Sequence, residues 1–172
     1  DRFNFLKPKK MILLYRNPLD QIVSLYNYKI KQRQKIRHPR DLIKKTINEY
    51  IRNYLFIKKN KNNPKVFILT YEDLISNPKN ALIKIIKFLE LPLNKNILSK
   101  VIESSSIEKV KKTERKYRSP IHLNETNNKV SFISSGNVGQ WKKYFEKKDL
   151  ILVKKILLNN NIKLEEFQLS NN

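Results

Sequence analysis

Twice in this chain a short apolar run is followed by a polar loop containing an Asn-Pro pair and then by a segment with helical spacing. The first run is Met11 to Tyr15, bounded by lysines before it and by Arg16-Asn17-Pro18 after it. The second is Lys65 to Thr70, followed by Tyr71 to Asn77 as a loop and by a helix from Pro78 to about Leu89. Continuous apolar runs of this length fit strands buried on both faces of a parallel sheet. After the first run, Asn17 is a good N-cap, Pro18 suits the first helical position, and Asp20 sits in the first turn. Leu19, Ile22, Val23, Tyr26 and Ile30 then recur with helical spacing until His38-Pro39 breaks the pattern. Between the two units, Asp41 to Lys58 reads as a second long amphipathic helix. This order predicts an α/β fold with a parallel sheet, whose ligands bind outside the carboxyl ends of the strands. Arg16 and Tyr71 both stand there.

Beyond Pro92 the pattern is helical and less regular. Helices are predicted over Ile97 to Glu103 and Ile107 to about Lys116, followed by an irregular polar stretch from Tyr117 to Val138 and a terminal helix from Lys147 to Asn159. The length of 172 residues suits one domain, spanning 1–172.

The charge narrows the partners less than its size suggests. Lys and Arg number 37 against 15 acids, a net +22, which favours polyanions or small anionic molecules. An AT-rich coding sequence would give the same lysine, asparagine and isoleucine abundance. Cysteine is absent, which rules out disulfides and thiolate metal sites and favours a reducing, cytoplasmic setting. His38 and His122 lie far apart without ligand-spaced partners, so no metal is expected. The apolar runs are too short to span a bilayer, and the start has no signal-peptide pattern.

Arg16 is the first residue with chemistry to offer. A guanidinium at the end of a strand, beside the positive end of a helix, can hold a phosphate with two parallel hydrogen bonds. It can equally pair with a local acid such as Asp20, leaving Ser24 a neutral helix residue. Glu72 and Asp73, just ahead of a helix, suit capping or pairing with basic neighbours better than acid-base work.

RNPLDQIVSLYNY, from Arg16, resembles the arginine loop and helix of sulfotransferases that use 3'-phosphoadenylyl sulfate. Three further segments follow in the order of that family: VFILTYEDLISNPKNALIKIIKFLELPL, SSSIEKVKK and FISSGNVGQWKKYF. The resemblance implies that Arg16 and Ser24 bind the donor's 3'-phosphate and that Tyr71 contacts its adenine. It places Ser105, Ser106 and Ile107 on the adenine side, although helix-start serines explain the first two nearly as well. It places Ser134, Ser135 and Gly136 over the 3'-phosphate, with Gly139 and Trp141 as a turn and its hydrophobic anchor. Ser134 and Ser135 occupy positions where the family carries Arg and Lys, so charge is lost there unless Lys129, Lys142 or Lys143 compensates.

The implied fold is a three-layer, phosphate-loop nucleotide-hydrolase-like α/β fold, incomplete because the first strand and its loop are missing, with a helix-rich C-terminal part. The implied activity is transfer of a sulfuryl group to a hydroxyl or amine of a small-molecule or carbohydrate acceptor. The family's phosphosulfate loop and its catalytic base have no counterpart in this sequence and are expected upstream of Asp1. No catalytic residue is therefore assigned, and neither histidine is promoted to that role. A non-catalytic RNA- or polyanion-binding module is the alternative, but nucleic acid is disfavoured because the basic residues are dispersed and no stacking platform is evident. The Trp141 segment argues against a nucleotide kinase.

Overall fold

The computed structural model describes residues 9–117 and 136–163. Strand β1 (Met11–Tyr15) and strand β2 (Val66–Thr70) pair in parallel, with Met11 opposite Val66 and Tyr15 opposite Thr70. Between them run helix α1 (Pro18–Lys31), a 3-10 turn (Pro39–Leu42) and helix α2 (Ile43–Lys59). After β2 come α3 (Tyr71–Ser76), α4 (Pro78–Phe88), α5 (Lys95–Ser104) and α6 (Ile107–Tyr117). A second 3-10 turn (Gln140–Lys143) leads into α7 (Lys147–Leu158). The α/β architecture is the one that the two strand-loop-helix units predict.

The core lies between α1, α2 and α7. Leu19, Ile22, Ile43, Ile47, Val153 and Leu157 are fully buried in it, and Trp141 and Phe145 fill its end. Each such aliphatic side chain contributes roughly 1.5–3 kcal/mol on leaving water. Tyr15 joins this core to the sheet, its ring edge-on to Tyr54 at 6.0 Å between centroids. On β2, Phe67 meets Phe88 of α4 at 5.5 Å. Lys10 ties the start of β1 to the end of α4, donating to the carbonyl of Phe88 at 2.6 Å and pairing with Glu90 at 2.9 Å.

Three local expectations need correction. Strand β1 is not buried on both faces: Ile12 and Leu14 are 39% and 51% exposed, because none of the described helices covers that side. Helix α1 stops at Lys31, ahead of the His38-Pro39 break. Lys31 to Lys35 contains no apolar residue to bury, and Arg33 takes a left-handed φ of 59° that ends the helical path. Tyr71 to Asn77 is largely helix rather than loop. Thr70 caps it, its Oγ1 accepting the N–H of Asp73 at 3.0 Å, and six residues are too few to display a helical period.

His38 has a structural place in this frame. Its Nδ1 accepts the N–H of Arg40 at 3.1 Å, and its own N–H donates to Asp41 Oδ2 at 3.1 Å, closing a reciprocal cap on the first 3-10 turn.

Candidate functional site

The strand register builds the site. With Tyr15 opposite Thr70, the next residues on each chain, Arg16 and Tyr71, leave the sheet side by side. The guanidinium carbon of Arg16 lies over the Tyr71 ring, 4.1 Å from its centroid. Arg16 Nη2 donates to the carbonyl of Asn137 at 2.9 Å, and Tyr71 Oη donates to the carbonyl of Gly136 at 3.0 Å. The segment from Gly136 to Trp141 therefore lies across the ends of both strands as a strap.

Gly136 is required by its position. Its φ is +70°, and a Cβ there would fall 2.3 Å from Ile107 Cδ1. Ile107, the first residue of α6, thus packs directly against the strap at Gly136. Arg16, Tyr71, Ile107 and Gly136 are brought together by four separate elements.

The remaining candidates have other positions. Ser24 lies further along α1, exposed, and its side chain makes no hydrogen bond among the described residues. Ser105 Oγ donates back to the carbonyl of Val101 at 2.7 Å, and Ser106 Oγ accepts the N–H of Lys109 at 3.4 Å, so both hydroxyls serve helix ends. Ser134 and Ser135, together with Lys129 and His122, fall outside the described residues. Lys142 and Lys143 are exposed, with Lys142 Nζ 5.8 Å from the centre of the Trp141 ring.

Two carboxylates brace the site. Asn17 caps α1 by accepting the N–H groups of Leu19 and Asp20 at 2.9 and 3.3 Å, while its own N–H donates to Glu72 Oε1 at 2.9 Å. Glu72 thereby joins the first turn of α3 to the loop after β1. Asp20 accepts the N–H of Gly139 at 2.6 Å and of Trp141 at 3.0 Å. This settles the alternative of an Arg16–Asp20 pair, because the carboxylate is engaged by main-chain donors instead. Sequence reasoning overlooked both braces. A signal for one was present: Asp20 falls between Leu19 and Ile22 on the apolar face of α1, and a carboxylate buried there needs its own donors.

The chemistry on offer is anion binding. Arg16 Nε is buried and has no hydrogen-bond partner among the described residues. Such a donor costs free energy unless a ligand meets it, so the residues present fit an anionic group beside Arg16. A separate cavity of about 420 Å³ opens at the strand ends, but its lining includes Asp20, Glu72 and Asp73 with Lys142 and does not include Arg16, so it is not the place for the anion. Among the described residues no cluster of His, Cys, Asp and Glu could hold a metal ion. No described helix is long and apolar enough to cross a membrane.

The comparisons bear on the family and the fold. The chain is 32% identical to sulfotransferase 1B1 of Canis lupus familiaris, over 86% of this chain and 54% of that protein. It is 28% identical to sulfotransferase 1E1 of Bos taurus, over 79% of this chain and 49% of that protein. It therefore spans about half the length of these relatives. Among solved structures, mouse sulfotransferase SULT7A1 complexed with PAP superposes with a TM-score of 0.71 at 18% identity, covering 92% of this chain and 60% of that one. Retinol dehydratase in complex with androsterone and the inactive cofactor PAP gives 0.72 at 22% identity, covering 88% and 47%. At such identities these two speak for the fold alone. A family model described as the sulfotransferase domain matches residues 4–164, and the chain belongs to that family.

Proposed function

We propose that the chain carries the 3'-phosphate and adenine side of the donor site of a sulfotransferase, which moves a sulfuryl group from 3'-phosphoadenylyl sulfate to a hydroxyl or amine acceptor. The observation that supports this most is the buried Nε of Arg16 at the end of β1, which has no hydrogen-bond partner among the described residues, beside the strap that begins at Gly136. A guanidinium with one edge bound to Asn137 and a second donor unpaired among the described residues is suited to a phosphate oxygen. Backbone around Gly136 approaches the same place because the residue has no side chain.

In this reading Arg16 holds the 3'-phosphate, and Ser24 and the Ser134-Ser135 pair add hydroxyl donors. Tyr71 and Ile107 border the adenine. When bound, the donor supplies the sulfuryl group, and a base elsewhere in the whole protein takes the acceptor's proton. The 172-residue chain by itself is expected to bind nucleotide without turnover.

Calorimetric titration with adenosine 3',5'-bisphosphate and with 5'-AMP tests the reading. Tighter binding of the bisphosphate is expected, since only it carries the phosphate that Arg16 would meet. Equal affinity, or none for either, would overturn it. An assay with labelled donor should show no turnover above a heat-killed control.

A further inference from the structure

Asp20 has 1% of its surface exposed, on a helix whose neighbouring residues Leu19 and Ile22 are wholly buried. A carboxylate in such a place is retained only where donors replace its water. Here both oxygens are used, and by one short piece of chain: Oδ2 accepts from Gly139 and Oδ1 from Trp141. The other end of that piece is held by Arg16 on the Asn137 carbonyl and by Tyr71 on the Gly136 carbonyl. The strap is therefore suspended between its carbonyls, drawn by donors at the strand ends, and its amides, drawn by Asp20.

We propose that Asp20 is the positioning residue of the donor site: by seating the strap against α1, it fixes Gly136 and Asn137 relative to Arg16 and so sets the preference for a 3'-phosphate. The inference rests on the donor-site reading above and assigns Asp20 no contact with the nucleotide. Trp141 alone would anchor the strap in the core, but a ring in a hydrophobic pocket does not fix the backbone as two charge-assisted hydrogen bonds do. Small displacements of a positioning backbone are enough to lose much of an interaction that depends on geometry.

The test is Asp20→Asn, which keeps the shape and one acceptor but turns an amide N–H₂ toward one of the two main-chain donors. Affinity for adenosine 3',5'-bisphosphate is expected to fall roughly tenfold, while that for 5'-AMP stays unchanged. A purely structural role would lower stability without altering the ratio of the two affinities. A wild-type preference for the bisphosphate that survives in Asp20→Asn overturns the role of Asp20 and leaves the donor site standing. No wild-type preference overturns the donor site itself. Amide exchange in the wild-type chain provides the second measurement should the variant fail to fold. The Gly139 and Trp141 amides should exchange slowly, and more slowly still with the bisphosphate but not with 5'-AMP. Free exchange at both overturns the proposal.

Discussion

The guanidinium carbon of Arg16 lies over the Tyr71 ring, 4.1 Å from its centroid, while each residue donates to a neighbouring carbonyl of the same strap. A planar cation on an aromatic face is worth about 0.5–2 kcal/mol depending on exposure, and it leaves the in-plane N–H donors free to point elsewhere. Replacing Arg16 by Lys keeps the charge but loses the stack and the fork. We expect Arg16→Lys to weaken binding of adenosine 3',5'-bisphosphate by about tenfold or more. Calorimetry showing equal affinity would remove Arg16 from the site.

Tyr71→Phe keeps the ring under Arg16 and deletes only the hydroxyl that donates to Gly136. The expected loss of stability is about 0.5–1.5 kcal/mol, the net value of one such hydrogen bond. Urea unfolding monitored by circular dichroism measures it. A variant as stable as the wild type would mean that the bond is not maintained in solution.

Gly136→Ala meets two obstacles, a φ of +70° and Ile107 Cδ1 at 2.3 Å from the new methyl group. The combined cost should be about 1–3 kcal/mol. Trimming Ile107 to Ala removes the steric part only. The double variant should thus lose less stability than the two single variants summed. Strict additivity would show that the two residues are not in contact.

The start of α7 offers a pH dependence. Glu146, exposed at the start of α7, is held down to about 2 from an ordinary 4.5, first by hydrogen bonding from Lys148 and then from Arg40. The folded value is the lower one, so the carboxylate's contribution is complete above 4.5 and fades as the pH falls toward 2. Exposure keeps the effect small. Between these values the melting temperature of the wild type should fall more steeply than that of Glu146→Gln. Parallel curves would dismiss the ion pairs.

How far the sequence reveals this molecule depends on the range over which the relevant forces act. Strand β1, Asn17 and Pro18 are legible because an apolar run, a cap and a preset φ are local matters. The end of α1 is less legible: proline is the visible terminator, whereas the five polar residues from Lys31 to Lys35 remove the reason to continue before it is reached. At the site, the residue types of Arg16 and Gly136 suggest an anion, but only the likeness to a family joins them. Asp20 shows the limit most clearly. Its partners lie 119 and 121 residues away, and nothing near it in the chain says which amides it will receive.

The strap has a mechanical consequence. Arg16 and Asp20 sit within five consecutive residues around the start of α1, and they grip the strap by opposite poles of its peptide groups. A tilt of that first turn should therefore carry Asn137, Gly139 and Trp141 along with it. Pieces of chain that are made far apart in time are thus tied into a single jaw.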